Sequence, residues 1–442
     1  MSQFGADHWA LHHNPKGGFY VDVGCHDGID ISNTYLLDKA GWKGICIDPF
    51  PKNFTQRTAK VVKAVVYSSN EDVIEFDYSV EDPGCSGIHS ELGIHKERLY
   101  ATTTIQKHKF TTRTLESILE ECNAPYSIQY MNLDVEGAEF EVLRVFPFQR
   151  YAFKCISIEH NYEEPKRTQI RKLLESKGYQ LERSVHVDDW YVNKKTPRVI
   201  ISLTSTPARF DKLENVLKNL TQQICHEIRV NIPKKYTRFP EWNGEIPESL
   251  WNIHPMIKIN RDCEDLGPAT KFFSTALDAH PDDYIIYVDD DTVYSPRLTQ
   301  WFVKWHKSDP FSAWGLSGFS FEDYFNYKFP RTHAEPVDVL EGYGGVIVKA
   351  GWIQKVAEEL KQLTNLTWHD DLLLCNLFEK YGIQRKTIWT DECNLGRSLM
   401  QQEFGFKEDA LHHVAGGSHI ENNKKILKRL KENNVYYYKY DC

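Results

Sequence analysis

Short apolar runs alternate with segments of helical periodicity along the whole chain. Runs of four to six residues, typical of buried strands, lie at 19–23, 44–48, 130–133, 156–159, 199–203, 227–232 and 284–287. Helical spacing is clearest at Leu213, Val216, Leu217 and Leu220. Repeated alternation of strand and helix is the pattern of an α/β sheet, so the sequence predicts an α/β fold.

The polar segment 193–197 divides these patterns into two sets. A chain of 442 residues is longer than one hydrophobic core normally organises, and 41% hydrophobic with 13% aromatic residues is enough for more than one packed core. We therefore predict two α/β domains, residues 1–195 and 196–442.

The formal charge of −9 argues against a broad nucleic-acid surface, which would need a basic excess. Small molecules or glycans are the expected partners. No apolar stretch approaches the ~20 residues that span a bilayer, and the N-terminus lacks a signal-peptide core. A cytoplasmic protein without a transmembrane segment is expected.

The segment 424–431 is basic, and three tyrosines follow it at 436–438. It fits an amphipathic helix with a solvated lysine face. It also fits a peripheral contact with a membrane that carries a lipid-linked acceptor, or with an anionic glycan. The pattern leaves these alternatives open.

An acidic, glycine-containing turn follows the first predicted strand. Asp22, Gly24, His26 and Gly28 fall in it, and the spacing G-x-x-x-G departs from the G-x-G-x-x-G of dinucleotide binders. An acid before the first glycine suits a ligand with a cationic or amino-acid end, which makes NAD a poor alternative. About 20 residues further on, Asp48 ends a second strand, where a Rossmann-like sheet binds ribose hydroxyls. Both features fit S-adenosylmethionine as the cofactor.

The block Tyr-Met-Asn-Leu-Asp-Val-Glu-Gly-Ala-Glu at 130–139 resembles the I-D-x-E-G-A-E block of FkbM-type methyltransferases. As in that family, Thr-Leu-Glu-Ser-Ile-Leu precedes it at 114–119 and Ile-Ser-Ile-Glu-His-Asn follows at 156–161. The resemblance covers residues 16–193 and implies a Rossmann-like methyltransferase domain that uses S-adenosylmethionine. One departure is Asp48, because the family often has the longer Glu there.

Four ionisable residues fall at two predicted strand ends of this domain: Asp134, Glu136, Glu159 and His160. In methyl transfer the protein aligns the acceptor oxygen and removes its proton, and we predict these four side chains around that oxygen. Asp134 and Glu136 could instead cap the next helix, and Glu139 could be a surface residue.

Three successive carboxylates, Asp289, Asp290 and Asp291, follow the apolar run 284–287. Such charges are costly to desolvate at the end of a buried strand, so we expect a cation there, and a divalent metal that carries a diphosphate meets this need. The feature therefore predicts a nucleotide-sugar site. The alternative is a solvated turn, where most short Asp runs lie.

Residues 197–421 resemble an inverting glycosyltransferase of the GT-A type. The resemblance implies that Asp289 and Asp291 take the two positions of the DxD motif, which holds Mn²⁺ or Mg²⁺ on the donor diphosphate, with Asp290 beside the substrate. His419, in Gly-Gly-Ser-His at 416–419, resembles a histidine that some members add to the metal shell. A structural or solvated histidine is the alternative.

The same resemblance implies contacts with the donor. Thr204 and Arg209 lie in the loop after the strand 199–203, where the fold holds base, ribose or phosphate. Lys271 lies at the start of a predicted helix, where it could meet a phosphate. Gly344 and Gly345 belong to a glycine-rich segment that lets the chain pass close to the sugar and acceptor.

The segment Trp-His-Asp-Asp-Leu-Leu-Leu-Cys-Asn-Leu at 368–377 resembles the acidic acceptor-site motif of that family. Alignment on its Leu-Cys makes Asp371 the base for the acceptor hydroxyl and puts Asp370 in the preceding acidic position. Inversion by a single in-line displacement needs such a base. Asp370 could instead be a helix N-cap, and Asp371 a first-turn charge favoured by the helix dipole.

The sequence as a whole predicts a bifunctional glycan-building enzyme with a nucleotide-sugar donor and a glycan acceptor. Such fusions resemble the soluble multidomain enzymes with which large DNA viruses and some bacteria build surface glycans, and a viral protein would work in the host cytoplasm. A second hypothesis is that only one domain is catalytic and the other is a scaffold that binds glycan or nucleotide.

Overall fold

A computed structural model of the chain describes residues 2–52, 54–148, 150–321, 334–388, 400–402 and 419–438. The chain forms two compact units, residues 1–196 and 197–442. Each unit contains a seven-stranded sheet with helices, so the predicted α/β class is confirmed.

The first unit contains eleven strands and six helices in its described residues. The strands are β1 (Phe19–Val23), β2 (Lys43–Asp48), β3 (Lys60–Lys63), β4 (Val65–Val66), β5 (Val73–Ser79), β6 (Gly87–Ile88), β7 (Ile105–Arg113), β8 (Ser127–Leu133), β9 (Ala152–Glu159), β10 (Tyr179–Val185) and β11 (Asp188–Asn193). The helices are α1 (Ala6–His13), α2 (Tyr35–Lys39), α3 (His95–Thr102), α4 (Leu115–Glu121), α5 (Glu139–Arg144) and α6 (Lys166–Ser176).

The central sheet of the first unit has the order β10-β11-β9-β8-β1-β2-β3. Strands β3, β2, β1, β8 and β9 are parallel, and β11 runs antiparallel to both of its neighbours. The strand order reverses between β1 and β8, because the chain first builds outward through β2 and β3 and then returns to the other side of β1. Ligands of open α/β sheets bind at such a reversal, outside the carboxyl ends of the strands.

A second, four-stranded sheet with the order β4-β7-β5-β6 is inserted between β3 and β8. The sequence analysis did not predict it. Its longest strands, β5 and β7, pair in antiparallel fashion over seven residue pairs. In β5 only three of seven residues are buried, so the strand lacks the continuous apolar run that marks the central strands.

The second unit contains eleven strands and six helices in its described residues. The strands are β12 (Val199–Thr204), β13 (Glu227–Asn231), β14 (Ile257–Asn260), β15 (Tyr284–Tyr287), β16 (Thr292–Tyr294), β17 (Ser312–Gly315), β18 (Gly318–Phe319), β19 (Val339–Leu340), β20 (Val346–Lys349), β21 (Gln384–Thr387) and β22 (Met400–Gln402). The helices are α7 (Phe210–Leu220), α8 (Thr270–Asp278), α9 (Leu298–Ser308), α10 (Ala350–Thr364), α11 (Asp370–Lys380) and α12 (His419–Glu432).

The main sheet of the second unit has the order β14-β13-β12-β15-β20-β17-β21. Strands β14, β13, β12 and β15 are parallel, whereas β20 is antiparallel to β15. Successive side chains of β12 face opposite cores, with Ile200 on one side of the sheet and Ile201 on the other. The carboxyl ends of the four parallel strands therefore meet at one edge, where the acidic triplet follows β15.

The predicted helical spacing at 213–220 belongs to α7, which buries Leu213, Val216, Leu217 and Leu220. Helix α12 is also amphipathic, since Leu427 is buried while Lys428 is exposed. None of the described helices combines the length and the apolar character needed to cross a membrane.

Candidate active sites

A cavity of ≈ 310 Å³ lies at the carboxyl ends of β1, β2 and β8 in the first unit. It is at the reversal of strand order described above, where a ligand is expected. Seven residues predicted from the sequence line it together: Asp22, Gly24, His26, Asp48, Asp134, Glu136 and Glu159. Residues that the motifs place far apart in sequence thus share one concave site.

Gly24 brings the first loop against the acidic block. Its φ is +83°, and a Cβ added there would lie 1.6 Å from the carbonyl oxygen of Asp134. No side chain fits in that space, so glycine is required. Gly28 also has a positive φ, of +74°, but it leaves room for the Phe54 ring and is not part of the cavity wall.

Asp48 is fixed by the backbone of the loops around it. Its carboxylate accepts hydrogen bonds from the N–H groups of His26, at 2.9 Å, and Phe50, at 2.7 Å. Burial raises the pKa of Asp48 despite these bonds. The Nδ1 atom of His26 is buried and has no hydrogen-bond partner among the described residues, so it is available to a ligand.

Asp22 holds the two central strands together. The hydroxyl of Thr34 donates to it at 2.5 Å and the amide of Asn132, on β8, at 3.0 Å. Asp22 is 1% exposed, and burial raises its pKa. Its main task in this structure is to join β1 to β8 beneath the cavity.

An acidic cluster forms the other wall. Carboxylate oxygens of Asp134, Glu139 and Glu159 lie within 4.8 Å of one another, close enough to share protons or a divalent cation. Burial raises the pKa of Asp134 to about 8, and burial and then the charge of Asp134 raise those of Glu136 and Glu159. The amide of Asn161 donates to Glu159 at 2.6 Å and to Glu136 at 3.3 Å.

Glu139 organises the loop between β8 and α5. Its carboxylate accepts the N–H groups of Val135, at 2.9 Å, and Gly137, at 3.2 Å. With 4% exposure it is not the surface residue that the sequence allowed. The N-cap of α5 is Ala138 without a side-chain cap, so the capping alternative for Asp134 and Glu136 is contradicted.

Three residues beside the acidic cluster have left-handed backbone conformations without being glycine. The φ angles are 53° at Glu136, 44° at Asn161 and 58° at Tyr162. Each such conformation costs on the order of 1–3 kcal/mol and persists where the surrounding structure enforces it, most often at functional sites. The strain therefore coincides with the residues that line or support the acidic wall.

His160 is not part of the cavity wall. Its Nδ1 accepts the N–H of Tyr162 at 3.0 Å, and its Nε2 lies 3.6 Å from Asp189. Successive residues at a strand end point to opposite sides, so Glu159 faces the cavity and His160 turns away from it. The predicted contact of His160 with the acceptor oxygen is not what this geometry offers.

In the second unit, Lys271 joins two groups of predicted site residues. Its Nζ lies 2.7 Å from Oδ1 of Asp289, in the acidic triplet, and 2.8 Å from Oδ2 of Asp370, at the start of α11. Burial alone would lower the pKa of Lys271, but the charges of Asp289, Asp370 and Asp371 outweigh it and hold the pKa well above its usual range. The ammonium group that was predicted to contact a phosphate is thus paired with carboxylates here.

Arg209 and Ser205 hold the rest of the triplet. Nη1 of Arg209 lies 2.6 Å from Asp290 and 3.3 Å from Asp291, and the hydroxyl of Ser205 donates to Asp290 at 2.5 Å. Asp290 and Asp291 are 8% and 7% exposed, which contradicts the solvated-turn alternative. Asp290 therefore connects the loop after β12 to the triplet. The hydroxyl of Thr204, by contrast, donates to the carbonyl of Asn231 on β13.

The donor set of Asp289 and Asp291 suits Mn²⁺ or Mg²⁺, which take oxygen ligands. Burial and the neighbouring charges of Asp289 and Asp290 raise the pKa of Asp291 to about 6. The two cations Lys271 and Arg209 face five carboxyl groups, those at 289, 290, 291, 370 and 371, and Asp289 and Asp291 are the two that could hold a divalent metal. The side chain of His419 lies outside the described residues.

Asp371 is oriented by the glycine-rich segment. Both of its carboxylate oxygens lie 3.1 Å from the N–H of Gly342, and burial and then the charge of Asp370 raise its pKa. The N-cap of α11 is His369, so Asp370 is not the N-cap that the sequence allowed. Once it has lost its own proton, a partly buried carboxylate with a raised pKa is a stronger base toward an acceptor hydroxyl.

Tyr294 links the triplet to the same glycine-rich segment. Its hydroxyl accepts the N–H of Asp289 at 3.1 Å and donates to the carbonyl of Tyr343 at 2.9 Å. A Cβ at Gly344 would lie 3.2 Å from Ser317 N, and Gly345 has a φ of +81°. Both glycines are therefore needed for the local course of the backbone.

The family comparison concerns the first unit. The family model of the methyltransferase FkbM domain matches residues 22–181. This match supports a methyltransferase domain, and hence an enzyme, in the unit that contains the cavity. No curated protein matches the chain.

Two solved structures are similar to about half of the chain. One is a 4-diphosphocytidyl-2C-methyl-D-erythritol synthase, with 10% identity, 45% of this chain and 91% of that chain covered, and a TM-score of 0.30. The other is the Francisella tularensis 2-C-methyl-D-erythritol 4-phosphate cytidylyltransferase, with 17% identity, 44% and 90% covered, and a TM-score of 0.27. Scores this low carry no functional inference.

Several site residues were not found from the sequence. Asn161 stood in a recognised block, but its amide contacts depend on a left-handed backbone. Ser205 and Tyr294 are ordinary residues in loop and strand patterns, and only their tertiary partners reveal them. Asn132 gave the best available signal, as a polar residue within the apolar run at the end of β8.

Proposed function

We propose that this chain is a bifunctional glycan-modifying enzyme. The first unit would methylate a sugar hydroxyl with S-adenosylmethionine, and the second would transfer a sugar from a nucleotide-sugar donor to a glycan acceptor. The observation that carries the proposal is the convergence of seven sequence-predicted residues on one cavity within the matched methyltransferase region. The second activity rests on the resemblance to GT-A glycosyltransferases and on the surplus of carboxylates around Asp289.

In the methyltransferase proposal, Asp48 receives the ribose hydroxyls and His26 lies beside the cofactor, while Gly24 lets the loop that contains His26 pack against the carbonyl of Asp134. S-adenosylmethionine, when bound, supplies a methyl group on a positive sulfur. The acceptor hydroxyl is aligned by Glu136 and Glu159, and Asp134 takes its proton as the oxygen–methyl bond forms and the sulfur–methyl bond breaks. A carboxyl with a pKa of about 8 is well matched to such a base near neutral pH.

In the glycosyltransferase proposal, Asp289 and Asp291 would hold a divalent metal, which supplies positive charge to the donor diphosphate. Arg209, beside Asp291, is positioned to approach the same phosphates. Asp371 accepts the proton of the acceptor hydroxyl as that oxygen attacks the anomeric carbon and the nucleoside diphosphate leaves. One displacement of this kind inverts the anomeric configuration.

A donor screen tests the second activity. Full-length protein with Mn²⁺ is incubated with UDP-, GDP- and dTDP-sugars, and nucleotide release is measured for the wild type and for Asp289→Ala/Asp291→Ala. Release from one donor that disappears in the double variant supports the proposal. Equal release from both proteins contradicts the metal site.

Calorimetry with S-adenosylmethionine on the full chain tests the first activity. Saturable heat that is lost in Asp48→Ala supports cofactor binding in the cavity. Neither heat nor a thermal shift at millimolar cofactor would defeat the methyltransferase proposal.

A second candidate is that the second unit is a binding scaffold. The observation in its favour is that Lys271 and Arg209 already pair with the acids that a metal would need. Binding of a nucleotide-sugar without turnover of any donor, with or without added glycan, would favour this alternative.

A further inference from the structure

Lys271 occupies a central position that neither proposed activity explains. Its ammonium contacts Asp289, which the proposed function gives to the donor metal, and Asp370, which precedes the proposed base. Its side chain is 5% exposed. An ammonium this deeply buried is available to a phosphate only if it gives up a carboxylate.

The fold is built around this ammonium. A Cβ at Gly342 would lie 2.6 Å from Nζ of Lys271 and 3.0 Å from Oδ1 of Asp371, so the backbone leaves the space that the ammonium fills. Desolvating a charge costs several kcal/mol and is offset only by close partners of opposite sign. Two carboxylates within 2.8 Å are such partners.

A divalent metal and Lys271 need the same carboxylate. Oδ1 of Asp289 already holds the ammonium at 2.7 Å, and a metal that coordinates this residue adds two positive charges beside Nζ. Like charges at this distance repel, and water screens Lys271 little because its side chain is 5% exposed. The metal therefore weakens the ion pair between Lys271 and Asp289, whereas the ion pair between Lys271 and Asp370 remains.

We propose that Lys271 is the counter-cation of the acidic site and competes with a divalent metal for Asp289. Once the metal has bound that carboxylate, Lys271 interacts with Asp370 and Asp371 alone. Lys271 is thus a positioning residue that connects donor loading to the acceptor-side acids. The inference rests on the proposed glycosyl transfer, but its decisive measurement does not need turnover.

The sign of the effect on metal binding separates this role from others. If Lys271 competes with the metal, its removal strengthens metal binding. If it only supports the fold, its removal disorders Asp289 and weakens metal binding. If it is a donor phosphate ligand alone, affinity for the free metal stays unchanged.

The test is calorimetric titration of full-length protein with Mn²⁺ alone. Lys271→Met should bind Mn²⁺ at least about tenfold more tightly than the wild type, because one positive charge has left the site. Lys271→Arg keeps the charge, although not the shape, and should not bind Mn²⁺ more tightly than the wild type. The matched control is Lys218→Met, which removes an exposed lysine paired with Glu214 and should leave affinity unchanged. Equal or weaker binding by a folded Lys271→Met overturns the proposal.

A second pair of variants applies if Lys271→Met does not fold, since it leaves the buried Asp370 and the partly buried Asp289 and Asp371 without their cation. Asp370→Asn/Lys271→Met removes one charge of each sign, and it is compared with Asp370→Asn alone. The double variant should bind Mn²⁺ more tightly than the single one, and equal or weaker binding overturns the proposal. The donor screen is read independently, so loss of the glycosyltransferase proposal remains distinguishable from loss of this one.

Discussion

The two candidate sites both collect carboxylates at the carboxyl edge of parallel strands, but they neutralise them in different ways. In the first unit, burial raises the pKa of Asp134 to about 8 and also raises those of Glu136 and Glu159. Their nearby partner is the uncharged amide of Asn161. Bound protons therefore neutralise much of the negative charge of these carboxyl groups.

In the second unit, cationic side chains neutralise the carboxylates. Lys271 pairs with Asp289 and Asp370, and Arg209 pairs with the other two acids of the triplet. The second site keeps protonatable acids as well, because burial raises the pKa of Asp291 to about 6 and also raises that of Asp371. What distinguishes it is the pairing with lysine and arginine, which competing cations can disturb. Similar acidic motifs at the edge of a sheet can therefore support different chemistry.

Replacement of the proposed base in the second unit should have the largest effect. Asp371→Asn keeps the shape and an acceptor for the Gly342 N–H, but it cannot take a proton. We expect glycosyl transfer to fall by about 10²–10⁴-fold. The measurement is kcat with the donor from the screen; Glu358→Gln, an exposed residue of α10, is the control. An Asp371→Asn variant with near-normal kcat would move the base elsewhere.

The proton on Asp134 should be detectable in the pH dependence of methyl transfer. The kcat/KM of methyl transfer should rise with pH up to about 8, since Asp134 must lose its proton to act as a base. Asp134→Asn should reduce the rate by about 10²-fold and remove this limb. A wild-type profile that is flat between pH 6 and pH 9 would contradict the assignment.

The same residue sets a pH dependence of stability. The pKa of Asp134 is raised from 3.8 to about 8 on folding, so between these values the folded state holds a proton that the unfolded state has lost. Its contribution to the free energy of unfolding is therefore full below the lower value and declines as pH rises through about 8. Asp134→Asn should flatten this decline in thermal unfolding measured from pH 5 to pH 9. An unchanged slope would count against the buried proton.

Two glycines sharpen the comparison through sterics. Gly24→Ala forces a Cβ against the backbone carbonyl of Asp134, while Gly342→Ala meets side-chain atoms, the end of Lys271 and Oδ1 of Asp371. We expect Gly24→Ala to cost more than the roughly 1–2 kcal/mol of a left-handed alanine. Gly41→Ala supplies that reference, because its φ is +84° and nothing lies within 4 Å. Chemical denaturation should rank the losses as Gly24→Ala, then Gly41→Ala.

Gly342→Ala should cost less than Gly24→Ala in the same measurement, yet it should displace Lys271. Equal destabilisation by Gly24→Ala and Gly41→Ala would mean that the loop and the acidic block can move apart.

The smallest effect is expected at Asn161. Asn161→Gly preserves the left-handed backbone and removes the amide that Glu136 and Glu159 share. Loss of a hydrogen bond costs about 0.5–1.5 kcal/mol, or up to about tenfold in methyl transfer. Asn123→Gly is the matched control, because Asn123 is exposed and also left-handed, with a φ of 54°. Equal rates in the two variants would remove Asn161 from the site.

The elements that carry the sites were predictable because buried parallel strands are apolar runs. The predicted bounds of β1 and β15 agree with the structure, and the acids at their ends mark the sheet edge on which both sites lie. The fold class followed from the same alternation. The inserted sheet was missed, since its exposed strands lack such runs.

Charge balance was not predictable from the motifs. The sequence analysis expected a bound cation at the triplet, but Arg209 reaches Asp290 across 81 residues of chain, and no local pattern encodes that pair. His160 was misjudged for a local reason, because neighbouring residues of a strand face opposite sides. The predicted metal and cofactor contacts stay predictions.

The Ser205–Asp290 bond also bears on when the second site comes into being. Its partners are 85 residues apart, and the Tyr294–Tyr343 bond spans another 49. Contacts of such separation form only after long loops have closed, which slows folding. During synthesis, the acidic triplet leaves the ribosome before the glycine-rich segment, whose Tyr343 carbonyl accepts the hydroxyl of Tyr294. A nascent chain would therefore carry the motif well before it carries the site.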